Sequence, residues 1–255
     1  MFPAVRRRKL FAALAAVVVA AGITACSSSS DSDTLKVGTE GTYSPFSYKE
    51  NGELTGYDIE VIKAVGDKIG RKVEFVTTTW DSIFAGLEAK RFDLVANQVT
   101  VNPERTQKYS LSDPYTTSEG VIVTKTGDSS IHALADLNGK NCAQSSTSNW
   151  SKVASGAGCK VDSVEGFVQA VQLLKTGRVN ATVNDTLAVN EYIKKNGTGD
   201  VQVGGKTGEI SKMAFAARKD SQDLTDKINK ALGELRADGT LAKISEKYFG
   251  TDVSK

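Results

Sequence analysis

Phe92-Asp93-Leu94-Val95-Ala96-Asn97-Gln98-Val99-Thr100-Val101-Asn102-Pro103-Glu104-Arg105 is the stretch whose reading decides the fold. Leu94, Val95 and Ala96 form a short apolar run, as a buried strand does. The run turns polar at Asn97, Gln98 and Thr100 with no Gly or Pro between. Pro103 then favours a first helical turn, where its missing N–H would be unpaired anyway, and Arg105 falls inside that turn. Two amides, a hydroxyl and an arginine thus gather donors near one point. A carboxylate suits them, because a guanidinium holds both carboxylate oxygens in a fork. A strand end whose polar groups are merely solvated, with Arg105 in a surface ion pair, fits the same residues.

Working outward, Leu35–Thr39 reads as a first strand, followed by a loop over Glu40–Tyr48 rich in Gly, Pro and aromatics. Asn51-Gly52 marks a tight turn. Ile59, Ile62, Val65 and Ile69 share one helical face, which Gly70 ends. Val73–Val76 is a second strand, and Asp81 is placed to cap a helix carrying Ile83, Phe84 and Leu87. Beyond Arg105 the pattern starts again. Strands are expected at Val121–Lys125, Asn141–Gln144, Val179–Asp185 and Met213–Ala217, with a further one near Cys159–Val161. Helices are expected from Trp150, along Phe167–Leu174, and twice more before the end. Ser145–Asn149, hydroxyl-rich ahead of a helix, offers hydroxyls and free N–H groups to an anion. Strands alternating with helices argue for an α/β fold with parallel sheet, where ligands sit at the strands' carboxyl ends. Tyr43, Trp80, Asn97 to Thr100, Ser148 and Asp185 fall at those ends.

The N-terminus reads differently. Arg6, Arg7, Arg8 and Lys9 precede an uncharged, mostly apolar run from Leu10 to Ile23, too short for a comfortable membrane span and right for a signal peptide over residues 1–25. Ile23-Thr24-Ala25-Cys26 resembles the lipobox of bacterial lipoproteins, which implies acylation of Cys26 and a lipid anchor in the cell membrane. Residues 26–33, serine- and aspartate-rich, read as a flexible tether. Loss of residues 1–25 removes four cations and no acids, turning a net charge of +2 into −2. The chain's basic balance therefore belongs to its leader, and nothing points to nucleic acid. With Cys26 lipidated, Cys142 and Cys159 remain outside the cytoplasm, where a disulfide is expected. His132, the one histidine, reads as structural, and no Cys/His cluster has metal spacing.

Several blocks together carry a resemblance. Gly41-Thr42-Tyr43-Ser44-Pro45-Phe46, Leu54-Thr55-Gly56-Tyr57-Asp58-Ile59-Glu60-Val61, Trp80-Asp81, Asn97-Gln98-Val99-Thr100 with Pro103-Glu104-Arg105, Ser112-Asp113-Pro114-Tyr115, and Asp238-Gly239-Thr240-Leu241 with Lys247-Tyr248-Phe249-Gly250 stand in order across residues 34–255. The chain is similar to the family 3 solute-binding proteins, extracytoplasmic receptors of polar amino-acid ABC importers. The resemblance implies an α/β fold of the periplasmic-binding-protein-like type II, two α/β lobes joined by a two-strand hinge. Residues 34–122 plus 216–255 would form lobe one and 123–215 lobe two, with crossings at Val121–Lys125 and Lys212–Lys219. It implies a monomer that needs no cofactor or metal and performs no catalysis.

The same resemblance assigns roles. Arg105 would clamp the α-carboxylate of an amino acid, with Thr100 beside it and Ser148 donating from the other lobe; Thr147 and Asn149 compete with Ser148. Asp185 would hold the α-ammonium, and Tyr43 and Trp80 would wall the site, though both also suit a core. The run Asn97-Gln98-Val99-Thr100 and the C-terminal Phe249–Lys255 look like those of cystine-binding members, and the amides of Asn97 and Gln98 would serve the polar ends of cystine. Glutamine or another polar amino acid is the alternative. The partner would be a membrane permease with a separate ATPase subunit, since no Walker A sequence is present. An enzyme of the same fold, such as a dehydratase, would have to use Asp185 and Glu119.

Overall fold

The computed structural model describes residues 33–255. The expected signal peptide, Cys26 and all but the last residue of the tether lie outside the described residues. Strand β1 (Thr34–Thr39) buries Leu35 and Val37. Three short strands, β2 (Thr42–Tyr43), β3 (Ser47–Glu50) and β4 (Glu53–Thr55), form a small separate sheet. Its turn at Asn51-Gly52 takes left-handed angles at both residues, φ 52° and 86°, as tight hairpins require. Helix α1 (Tyr57–Ile69) turns Ile59, Ile62 and Val65 inward and stops at Gly70, φ 70°, whose N–H closes back on Gly66 and Asp67. Next come β5 (Lys72–Thr77), α2 (Trp80–Glu88), β6 (Leu94–Thr100), α3 (Pro103–Lys108), β7 (Tyr109–Leu111) and the long β8 (Thr116–Lys125). The second set is β9 (Asn141–Gln144), α4 (Asn149–Gly156), β10 (Lys160–Ser163), α5 (Phe167–Lys175), β11 (Ala181–Asp185) and α6 (Thr186–Asn196). Strand β12 (Val201–Arg218) leads back to α7 (Gln222–Ala237) and α8 (Thr240–Phe249).

The large sheet runs β10-β9-β11-β8-β12-β6-β1-β5. Strands β5, β1 and β6 are parallel, as are β10, β9 and β11, but β8 and β12 join the two groups by antiparallel pairing. The expected parallel pairing is found within each group, and the two crossing strands pair antiparallel. Two α/β lobes result, connected by β8 and β12. Both crossings exceed the expected stretches: β8 starts at Thr116, and β12 is 18 residues long.

One core gathers Leu35, Val37, Ile62, Leu94, Phe215 and Leu232, so that the C-terminal helices return to the lobe of α1. The other lobe packs Val123, Ala143, Val171 and Leu174 in one cluster and Ile122, Trp150 and Val183 in a second. Each Val, Leu, Ile or Phe among them contributes about 1.5–3 kcal/mol on burial. Cys142 and Cys159 are disulfide-bonded in this second cluster, with Cα atoms 6.0 Å apart and a sequence separation of 17. Closing a loop of that size constrains the unfolded chain by about 3 kcal/mol.

The first half of β12, Val201–Lys212, carries Gly204, Gly205 and Gly208 and looks like a loop by composition. Two of these glycines have a packing cause, whereas Gly208 takes φ 76° with open space around it. A Cβ on Gly204 would lie 2.8 Å from the Ile131 carbonyl oxygen, and one on Gly205 2.0 Å from that of His132. His132 itself is exposed, its Nε2 2.9 Å from the Ser129 carbonyl. Asp81 is not the cap of α2: Thr79 holds that position without a side-chain bond, and Trp80 is already helical.

Candidate functional site

The strand ends of both lobes meet at one cavity. Thr42 and Tyr43 from β2, Trp80 from α2, and Asn97, Gln98 and Thr100 from β6 line one wall. Ser148 and Asn149 at the start of α4, Phe167 of α5, and Asn184 and Asp185 at the end of β11 line the other. Of the expected site residues, Arg105 alone is absent from this lining. It sits behind Trp80 and Thr100 and opens on an adjacent depression with Phe84, Tyr109 and Thr147; Asn149 borders both spaces.

Local sequence explains each placement. Asn102 caps α3 by accepting from the Arg105 N–H at 2.9 Å, with Pro103 at the first helical position. This turn folds the Arg105 side chain back along β6, where Nη1 donates to the Thr100 carbonyl at 3.0 Å. Its guanidinium lies 5.2 Å from the Trp80 ring centre and 5.4 Å from that of Phe84. Arg105 is 6 % exposed, and no ion pair to it occurs among the described residues. Burial lowers its pKa to about 10, so it stays cationic at neutral pH.

Asp185 is opposite. Oδ1 caps α6 by accepting from the Leu187 N–H at 2.8 Å, and also accepts from the Ser118 hydroxyl at 2.8 Å. Oδ2 is buried with no partner among the described residues. Desolvation raises this acid to about 6, against the opposing bonds from Ser118 and the α6 amides. Gln98 Oε1 and Trp80 Nε1 are likewise buried and unpartnered. Of the six such atoms among the described residues, three belong to residues lining this cavity, two acceptors and one donor. Buried polar groups are almost always paired, so three exceptions around one cavity describe a polar guest.

Other expected residues are occupied within the protein. Asn97 accepts from the Glu40 N–H at 2.8 Å and the Thr39 hydroxyl at 3.1 Å, and its Nδ2 donates to Glu40 Oε2 at 2.5 Å. Gln98 Nε2 donates to Asp58 and Thr116. Ser148 caps α4 by accepting from the Trp150 N–H. Trp150 packs on Gly120 and also reaches the cavity. Phe46 is fully buried in the core. Glu119 bonds Lys206 at 2.6 Å and is not among the residues lining the cavity.

Two acids escaped the sequence reading. Glu40 lines the cavity and a second, shallower one with Thr77–Thr79 and Glu165; Glu40, Thr42, Gly166 and Gln169 belong to both. Desolvation raises Glu40 to about 7, with Asp81 adding and the Asn97 bond opposing. Asp81 reaches across the cleft, its carboxylate accepting from the Thr147 N–H at 2.9 Å, the Thr147 hydroxyl at 2.7 Å and the Ser146 N–H at 3.2 Å. Tyr43 Oη to Asn184 at 2.7 Å, Thr100 Oγ1 to Asn149 at 3.2 Å and a Glu104–Lys152 ion pair also bridge the lobes. Thr147 is consequently turned to Asp81, leaving Ser148 and Asn149 facing the cavity. The sequence signal for Asp81 was its place beside Trp80, which was read as a cap.

The family model of bacterial extracellular solute-binding proteins, family 3, matches residues 35–251. The L-cystine-binding protein TcyA of Bacillus subtilis is 47% identical over 97% of this chain and all of its own. An ancestral arginine-binding protein bound to arginine superposes with a TM-score of 0.80 at 41% identity, covering 86% of this chain and 99% of that one. The L-cystine solute receptor of Neisseria gonorrhoeae in its unliganded open conformation gives 0.59 at 43% identity, covering 87% and 94%. Direct bonds join the two sides of the cleft in this structure. The matched span, the two-lobed architecture and the cavity at the strand ends agree, and the chain belongs to the bacterial extracellular solute-binding proteins of family 3.

Proposed function

We propose that this chain is the extracytoplasmic receptor of an amino-acid ABC importer, binds cystine between its lobes, and hands it to a membrane permease with a separate ATPase subunit. The observations that carry this reading are an unpartnered carboxylate oxygen on Asp185, which lines the cavity, and a buried guanidinium without an ion pair on Arg105, behind Trp80 and Thr100 in the other lobe. In this reading the α-carboxylate sits where the two spaces meet at Asn149, between Arg105, Thr100 and Ser148. The α-ammonium takes Asp185 Oδ2 and Gln98 Oε1, and Tyr43 and Trp80 wall the chain of the ligand. Cystine is favoured over glutamine because a second space borders the cavity at Glu40, where a second ammonium would find a carboxylate, and because TcyA is described as an L-cystine-binding protein. The domain limits follow: 34–122 plus 216–255 for lobe one, 123–215 for lobe two.

A thermal-shift screen against all amino acids and cystine tests this. Cystine at about a thousand times its dissociation constant should stabilise by roughly 4 kcal/mol. A larger shift with glutamine would replace cystine and leave the receptor; no shift with any amino acid would remove the receptor.

The bonds across the cleft imply that closure does not rest on the ligand alone. Asp81→Ala removes three of them, a loss of about 1–2 kcal/mol from the closed state. Ligand dissociation, followed by stopped flow, should speed up roughly 5- to 30-fold. An unchanged rate would refute a holding role for Asp81.

The anchor is proposed at Cys26, with acyl chains keeping a monomeric receptor at the membrane beside its permease. Cys26→Ser should move the protein from the membrane fraction to the soluble one; retention in the membrane would refute the anchor.

A further inference from the structure

Strand β6 is irregular where it faces the cavity. Val99 pairs with Ala214 and Val95 with Ala216, so Ala96, Asn97 and Gln98 stand opposite the single residue Phe215. Gln98 takes φ 49°, the left-handed region that side chains other than glycine and asparagine avoid. Bulges of this kind re-aim side chains near binding sites, and strained angles persist only where neighbours hold them.

The neighbour here is Asp58, the second residue of α1 and fully buried. Its Oδ2 accepts from the Gln98 N–H at 2.8 Å and its Oδ1 from Gln98 Nε2 at 2.6 Å. No cation is paired with it among the described residues. Burial raises it to about 7, with both Gln98 bonds opposing. A buried acid without a counter-ion is expensive, so its retention asks for a reason that a neutral side chain cannot supply. A carboxylate has acceptors only. Gln98 must therefore present Nε2 to Asp58 and turn Oε1 away, and Oε1 is the buried, unpartnered oxygen at the cavity wall. Asparagine at 58 has one acceptor and one donor and leaves the orientation of the Gln98 amide undecided.

We infer that Asp58 is a positioning residue for ligand binding: by clamping both N–H groups of Gln98 it fixes the left-handed bulge and commits Gln98 Oε1 to the cavity as an acceptor for the ligand's ammonium. This rests on the amino-acid reading of the cavity. Asp58 does not touch the ligand; it acts through Gln98. With Asp58 neutralised, the Gln98 amide turns over and offers Nε2, a donor, to a cationic group.

Calorimetric titration with cystine of the wild type, Asp58→Asn, Gln98→Met and the double variant tests the inference. Asp58→Asn and Gln98→Met should each weaken cystine about 10- to 100-fold. The double variant should be no weaker than Gln98→Met alone by more than about threefold, because the two act as one unit. Additive losses, or an Asp58→Asn protein that binds like the wild type, would overturn it. In the folded wild type the Gln98 side-chain amide gives a second readout: its ¹⁵N–¹H pair should be shifted and protected from solvent exchange, and a signal typical of a free surface glutamine would overturn the inference even if Asp58→Asn failed to fold. A wild type that binds no amino acid, with a protected Gln98 amide, would instead indict the function proposed above.

Discussion

Arg105→Ala is expected to weaken amino-acid binding by two to three orders of magnitude. The guanidinium is buried, cationic, free of any ion pair among the described residues, and held by the Thr100 carbonyl and the faces of Trp80 and Phe84. It is thus organised before the ligand arrives, and little ordering has to be supplied on binding. A ligand carboxylate closed into the cleft without this partner loses a charge-assisted fork in a site shielded from water, about 3–4 kcal/mol, or roughly 150- to 1,000-fold. Arg105→Lys separates charge from shape. It keeps a cation but neither the fork nor the flat stack on Trp80, and should recover only part of the loss. Affinities by calorimetry decide the matter: an alanine variant within twofold of the wild type would place the carboxylate elsewhere. Folding should suffer far less than binding, since the substitution removes a buried charge that has no counter-ion.

The residues of this prediction show where sequence reading succeeds. The apolar run Leu94–Ala96, the polar turn at Asn97 and the Pro103 helix start are local signals, and they place Arg105 on a turn directed back along its own strand. The same holds for Asp185, a strand end that caps the next helix. Helix α6 was not anticipated: Thr186–Asn196 carries few large apolar residues and buries only Ala188 and Val189. The first half of β12 was hidden by glycines whose purpose, room for the backbone at Ile131 and His132, exists only in three dimensions. The roles of Asp58, Glu40 and Asp81 were hidden for a related reason. Each gains its meaning from a partner far away in the chain, namely Gln98, Asn97 and Thr147, and a single acid in a helix or loop announces none of these. Asn97 and Gln98 were legible as cavity residues, but the internal bonds of their amides were not.

Asp185→Asn is the second large effect, and pH gives it a signature. Asparagine keeps an oxygen to cap α6 and accept from Ser118, so the fold is preserved; it replaces Oδ2 with a donor, which repels an ammonium. Affinity should fall about 100-fold, in line with a lost charge-assisted bond made in a dry site. The carboxyl titrates at about 6 in the ligand-free protein, raised by burial from 3.8. The native state therefore holds a proton between pH 4 and 6 that the unfolded chain has released, and ligand-free stability from this group declines as pH rises through that window, by about 3 kcal/mol. The ligand reverses the sign. Its ammonium binds only the ionised acid, so below pH 6 binding must first expel a proton and log affinity falls by about one per pH unit. Glu40 and Asp58, both raised to about 7 by burial, share the region; Glu40 faces the ligand and Asp58 orients Gln98, so protonation of either steepens the fall. Wild-type protein scanned from pH 5 to 8 should show its ligand-free melting temperature declining while the shift caused by ligand grows. Asp185→Asn should flatten the first trend in part and lose most of the second. A variant that keeps the wild-type growth of the shift would mean that the ammonium is held by some other group.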